Sequence, residues 1–213
     1  LGEATSQDLF VSEALKRLTP LVQQAGLLAA QYDAVVANPP YMGSGGMNAL
    51  VKKFAKDNFP DAKNDLFACF IDRGFTLAGG SGRATFVTIQ NWMFLSSFQE
   101  MRERMLREKN ITTMAQIGYN SFPSLNSKVV QAAAFSFLNQ RVGNYVGAFI
   151  DLNSAPQSAD KDAVFLERDL ENRFEVAADE FKKIPGSPLA FWVSDEARKA
   201  FEQNQELRSV AVS

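Results

Sequence analysis

The chain has 213 residues, with 22 Lys and Arg against 24 Asp and Glu, no His and a single Cys; at about 150 residues per domain, that length corresponds to roughly one and a half domains. Its 46% hydrophobic content and 18 Phe exclude a disordered or low-complexity chain. The missing His excludes Ser-His-Asp and Cys-His catalysis and His-ligated zinc chemistry, because no other side chain titrates unperturbed near neutrality. Cys69 stands alone in an apolar run, which reads as a small core residue rather than a reactive thiol. A net charge of −2 shows no basic surplus, so any nucleic-acid binding must come from a local patch. No apolar run reaches the length of a membrane span and no leader pattern opens the chain, which predicts a cytoplasmic protein with no membrane partner.

In chain order, Leu15, Leu18, Val22 and Leu27–Leu28 recur at helical spacing with Pro20 interrupting, which predicts one or two short helices in a lead-in over residues 1–31. The chain opens on Leu1, and this lead-in does not resemble the beginning of a fold, so the sequence is expected to be a piece of something longer. Residues 32–37 form a short apolar run with a β-branched centre, stopped by Asn38-Pro39-Pro40-Tyr41; proline cannot continue a ladder, so the strand ends where the motif begins. Residues 42–48 predict a mobile glycine-rich loop, and 49–58 a short helix with Lys52, Lys53 and Lys56 on its polar side. Asn64 is the predicted N-cap of a helix with Asp65 in its first turn and an apolar face from Leu66 to Leu77, stopping at Gly79–Gly80. Residues 84–89 read as a buried strand, and 97–100 as a capping box opening a helix that runs to 109. On that helix Arg102, Arg104 and Arg107 alternate with acidic residues, which predicts a paired solvent face. Strands are predicted at 111–117 and 129–138. Past Gln140 come a further strand at 145–152, a polar linker at 153–161, and helices at 179–184 and 194–204, the last capped by Ser194. The order argues for an α/β fold, a parallel sheet with helical crossovers and a final antiparallel strand, followed by an α+β extension.

The chemistry resides in Asn38-Pro39-Pro40-Tyr41. Residues at the carboxyl end of a strand in an open α/β sheet project into the ligand crevice. Both prolines lack an N–H donor, so the turn is rich in acceptors. An exocyclic amine is a poor nucleophile because its lone pair is delocalised into the ring. The Asn38 side-chain oxygen and the Pro39 carbonyl can each accept one amine hydrogen, which frees that lone pair for attack on a sulfonium methyl group. No strong base is needed, and Tyr41 can stack on a base that has left the duplex. The plain alternative is a Pro-Pro turn ending a strand beside a surface aromatic.

Residues 32–41, 65–77, 80–92, 98–109 and 122–138 resemble, in order, the second half of the gamma-class adenine-N6 DNA methyltransferase domain. The strings NPPYMGSGGM at 38–47, WMFLSS at 92–97 and IPGSPLAFWVS at 184–194 are similar to the BREX, or phage-growth-limitation (PglX-like), adenine-specific methyltransferases. The resemblance implies the carboxyl-terminal half of a Rossmann-like methyltransferase sheet, with S-adenosylmethionine as cofactor and double-stranded DNA as partner in a phage-defence or restriction-modification system, alongside other defence proteins. It implies catalytic roles for Asn38, Pro39, Pro40 and Tyr41, and contact of Tyr41 and Phe122 with the flipped adenine. Phe122 reads equally well as a hydrophobic loop anchor. Lys52, Lys53 and Lys56, with Lys63, are candidate contacts for DNA phosphates, or simply a solvated face.

The chain departs from the family in one respect. The acidic, glycine-rich cofactor turn belongs before the tetrapeptide, and none precedes Asn38. Gly43-Ser44-Gly45-Gly46 follows the motif and suits a loop that closes over the base, and Gly79 to Gly82 read as a helix stop and turn. No metal site is expected, and no cofactor-binding residue is identified. The expected organisation is a helical lead-in over 1–31, the substrate-side half of a catalytic domain over 32–140, and an extension over 141–213 toward a DNA-recognition region. Tight cofactor binding by this chain alone is not expected, and its open sheet edge invites self-association. The competing functions are an amino-methyltransferase of RNA adenine or protein glutamine, and a non-catalytic binding or assembly module.

Overall fold

The computed structural model describes residues 9–119, 131–155, 160–167 and 170–203. Helix α1 (Leu9–Ala29) is continuous, with Pro20 inside it, where two short helices were the alternative. Its Leu18, Leu21, Val22, Leu27 and Leu28 are exposed. Its end is fixed by Arg73, which donates to the Leu28 carbonyl at 2.7 Å, and by the Tyr32 hydroxyl on the Leu27 carbonyl at 2.8 Å.

Strand β1 (Tyr32–Ala37) follows, then α2 (Ala49–Asn58), α3 (Leu66–Leu77), β2 (Ala78–Ile89), α4 (Gln99–Glu108), β3 (Asn110–Gly118) and β4 (Ala132–Leu138). The six-stranded sheet is completed by β5 (Val146–Asp151) and β6 (Arg173–Ala177) in the order β1-β2-β4-β3-β5-β6. The pairs β1/β2 and β3/β5 are parallel, while β4 runs antiparallel between β2 and β3. The antiparallel strand therefore lies inside the sheet, as its run of small and aromatic apolar residues requires. The short helices α5 (Lys161–Leu166) and α6 (Ala178–Phe181) flank β6, and α7 (Asp195–Gln203) starts at Ser194, whose hydroxyl accepts from the Ala197 N–H at 3.3 Å. Among the described residues no helix is long and apolar enough to cross a membrane.

Strand β6 was not anticipated. Its sequence, Arg-Phe-Glu-Val-Ala, is short and carries two charges, and pairing with β5 rather than local propensity holds it extended. The glycines at 79–82 do not form a turn: α3 ends at Leu77 and β2 begins at once, with these glycines in its first half beside a register shift in β1. The helix α3 lies close on β2 because residue 74 is glycine; a Cβ there would drive into the Phe86 ring.

Two predicted caps are corrected. Asp65, not Asn64, caps α3; its backbone is extended and its carboxylate accepts from the Phe67 N–H at 3.3 Å, while Asn64 donates to the Ser97 carbonyl at 2.7 Å. The capping box at 97–100 does not form, because residues 96–98 make a 3₁₀ turn and α4 starts behind Phe98 without a side-chain cap.

Of the three arginines of α4 only Arg107, exposed and paired with Glu108 at 3.1 Å, forms a solvent face. Arg104 bridges Asp61 at 2.9 Å and Asp72 at 2.8 Å, tying α4 to the segments before and along α3. Arg102 is 1% exposed. Its guanidinium donates to the carbonyls of Ser187 at 2.9 Å, Trp92 at 2.7 Å, Leu95 at 3.1 Å and Gly186. Burial pulls it down to about 10, so it remains a cation at neutral pH. Together with the Leu189 N–H on the Met93 carbonyl at 3.0 Å, it binds the segment after α6 to the segment after β2. Beside it, Trp92 packs 4.8 Å from Phe135, and Phe149 stacks 5.1 Å from Phe191.

Replacing Arg102 by Met leaves these carbonyls without a donor, and the expected loss is about 3 kcal/mol in urea unfolding followed by circular dichroism. A loss below about 1 kcal/mol would show that the clamp is energetically idle.

Candidate active site at the carboxyl end of β1

Ala37 is the last paired residue of β1, opposite Phe86, and the two prolines then carry the chain out of the sheet. Pro39 is buried, whereas Asn38 and Pro40 are exposed and Tyr41 is half-buried. The Tyr41 hydroxyl donates to Asn38 Oδ1 at 3.3 Å and lies 3.5 Å from the Val87 carbonyl on β2. Both contacts are long for an O–H donor, so they are readily exchanged for a better partner. Burial raises the Tyr41 pKa above the ordinary tyrosine value, which keeps the hydroxyl protonated through the neutral range. Its ring meets Phe67 of α3 edge-on, with centroids 6.3 Å apart at 88°, and Phe67 leans on Phe98 at 5.6 Å.

The loop after the motif is held, not free as its glycines suggested. Met42 and Leu66 are joined through the Leu66 N–H on the Met42 carbonyl at 3.0 Å, Gly43 bridges Asp65, and the Ser44 N–H donates to the Asn64 carbonyl at 2.9 Å. The Gly46 N–H closes a turn on the Gly43 carbonyl at 2.8 Å. Two N–H groups of the glycine run are therefore spent internally, which leaves it poorly suited to cradle an anionic ligand.

Sequence reasoning underrated Asp65 and missed a buried amide chain at the same end of the sheet, on its inner strands. Gln116 of β3 donates to Gln90 Oε1 at 3.0 Å, and Gln90 donates onward to Gln131. Gln90 and Gln116 are 5% and 3% exposed, and Gln116 Oε1 has no partner among the described residues. The signal for this chain was the presence of amides at the ends of apolar strands, where burial is costly unless they pair.

The remaining predicted residues divide. Lys52, Lys53 and Lys56 are exposed on α2; Lys53 pairs with Asp57, and the other two make no ion pair among the described residues. Phe122 lies outside the described residues. No group of three or more potential metal ligands occurs among the described residues.

The open α/β half-sheet, with an acceptor-rich turn on its edge strand, has the layout of the Rossmann-like methyltransferase class. The chain belongs to the Eco57I restriction-modification methylase family, whose model matches residues 6–122, more than half of the sequence. It is 42% identical over 90% of its length to the adenine-specific methyltransferase BrxX of Escherichia coli O9:H4 (strain HS), and 36% identical over 83% to the adenine-specific methyltransferase PglX of Lacticaseibacillus casei (strain Zhang). It spans only 16% and 15% of the lengths of these two relatives. Among solved structures, the methyltransferase subunit of a type I restriction-modification system from Streptococcus thermophilus superposes with a TM-score of 0.54 at 16% identity, covering 76% of this chain and 38% of that one.

Cys69, the one thiol of the chain, lies buried on α3 with its Sγ 3.4 Å from the Ala62 carbonyl. Burial, and then the charge of Asp72, push it up to about 11, so it is not a nucleophile at neutral pH. A thiol-reactive dye is expected to leave the native chain unlabelled and to label it stoichiometrically in denaturant; fast labelling of the native chain would contradict the buried placement.

Proposed function

We propose that this chain is the substrate-side half of an enzyme that transfers a methyl group from S-adenosylmethionine to adenine N6 in double-stranded DNA, within a BREX-type or other restriction-modification defence system. The observation that carries the reading is the turn at Asn38–Tyr41: an exposed amide oxygen at the end of a sheet strand, beside a half-buried aromatic backed by Phe67. The names of the relatives, adenine-specific methyltransferases, support it. Residues 32–140 supply the substrate side and 141–213 the approach to a DNA-recognition region, with cytoplasmic DNA as the target and other defence proteins as partners.

S-adenosylmethionine supplies the methyl group. No glycine turn that would fit it occurs before Asn38, and the glycine run after Tyr41 is engaged in its own turn, so the part these residues play is confined to holding the amine. Asn38 Oδ1 exchanges its weak contact with the Tyr41 hydroxyl for one amine hydrogen, and the Pro39 carbonyl takes the other. The nitrogen, relieved of conjugation, is aimed by Tyr41 stacking on the extruded base. After transfer its surplus proton passes to solvent. Phe122 completes the clamp on the base, and Lys52 and Lys56 offer charge to the flanking phosphates.

The Asn38 amide and the Pro39 carbonyl do not titrate and burial raises the Tyr41 hydroxyl, so in the whole protein kcat is expected to be flat from about pH 6.5 to 9. Asn38→Ala is expected to lower kcat about 100- to 1000-fold while DNA affinity changes little. The checks are methyl incorporation across pH and mass spectrometry of cellular DNA. Unchanged N6-methyladenine in cells lacking the gene would remove the reading.

The outer edge of β1 pairs with no strand among the described residues, and Val36 on it is 76% exposed. An open edge beside exposed apolar residues invites strand addition. The isolated chain is therefore expected to self-associate in light scattering, and a stable monodisperse monomer would contradict this.

A further inference from the structure

We infer that Asp65 is a positioning residue for Tyr41, a latch whose single carboxylate oxygen fixes both supports of the stacking ring; the inference rests on the methyltransferase reading above. Asp65 Oδ1 accepts from the N–H of Met42, the residue directly after Tyr41, at 3.0 Å. The same oxygen accepts from the N–H of Phe67 at 3.3 Å, and the Phe67 ring is the wall that Tyr41 abuts at 88°. One atom thus joins the backbone on the carboxyl side of Tyr41 to the helical turn that carries its neighbouring ring. The surrounding main chain reinforces the link, because Leu66 and Met42 are hydrogen-bonded and Gly43 bridges Asp65.

Geometry gives this latch its leverage. The Tyr41 hydroxyl is held only by contacts of 3.3 and 3.5 Å, one of them to Asn38 Oδ1, the acceptor the substrate amine must take over. When a base displaces that contact, the hydroxyl end keeps only the 3.5 Å contact to the Val87 carbonyl, and the ring is located chiefly by its backbone and by Phe67. Both of those run through Asp65. A misplacement of about 1 Å at a reacting centre costs on the order of 100-fold in rate, so the effect belongs in kcat, after the base has entered, rather than in binding of DNA.

Helix capping and latching can be separated by side-chain length. Serine is as good an N-cap as aspartate, so Asp65→Ser keeps the cap on α3, but its hydroxyl is one bond too short to serve Met42 as well. Asparagine keeps the acceptor oxygen at the original reach. In the whole protein, assayed for methyl transfer to unmethylated genomic DNA, Asp65→Ser is expected to lose roughly ten- to a hundredfold in kcat, with KM for DNA within about threefold and an unchanged melting temperature. Asp65→Asn is expected to recover kcat to within about threefold of the wild type. Full kcat in Asp65→Ser beside an active wild type overturns the latch alone, as does an Asp65→Asn variant that folds and is as slow as Asp65→Ser. Absence of transfer by the wild type overturns the methyltransferase reading, and the latch with it.

Discussion

Proline has no N–H to give to a β ladder, and two in succession at the end of β1 force the chain out of the sheet at one fixed place. That constraint organises the rest of the site. Because β1 and β2 are parallel and in register to Ala37 and Phe86, the exit falls beside Val87 on the neighbouring strand. The chain must then turn over the end of the sheet, where it meets the start of α3 and pairs with residues 64–66. The asparagine before the prolines and the tyrosine after them are thereby set on either side of a rigid corner, one exposed and the other leaning on Phe67.

The second organising feature is a cation without an anionic partner in its hydrogen-bond set. Arg102 satisfies backbone carbonyls from two distant stretches of sequence, so none of its hydrogen bonds depends on a carboxylate. It joins the segment after β2 to the segment preceding α7, while the β3/β5 and β5/β6 ladders carry the sheet on as one layer. The turn itself needs no imidazole. In the proposed reading an amide, a carbonyl and aromatic rings hold the amine, a task that calls for no histidine.

Much of this was legible in the residues. The strand at 32–37 was bounded by its own prolines, the helix at 49–58 by its lysine-bearing amphipathic pattern, and the inner antiparallel strand by an unbroken apolar run. Where reading failed, tertiary contacts had overridden local signals. Asn64 and Asp65 are equally good caps in isolation, and what decides between them is that Ser97 draws off the Asn64 amide while Met42 offers Asp65 a second donor. The serine and glutamate at 97–100 suggested a box, but the chain there is committed to a 3₁₀ turn. Arg102 shares its spacing with Arg104 and Arg107, and only the arrival of a segment some eighty residues later makes it a buried residue. The strand β6 carries only a brief polar–apolar alternation, Arg-Phe-Glu-Val, and its pairing with β5 makes it a strand.

The turn sits on a strand with one ladder among the described residues. Its inner side is bonded to β2, Val35, Ala37 and Tyr41 pack against the core, and the short ribbon ties the turn to the start of α3. Proteins open in cooperative units of unequal stability, and a strand supported from a single side belongs to the weaker ones. The lifetime of the turn's shape is therefore set by local opening of β1 and the ribbon, not by global unfolding of the sheet. Whatever covers the outer side of β1 in the whole protein acts directly on that lifetime.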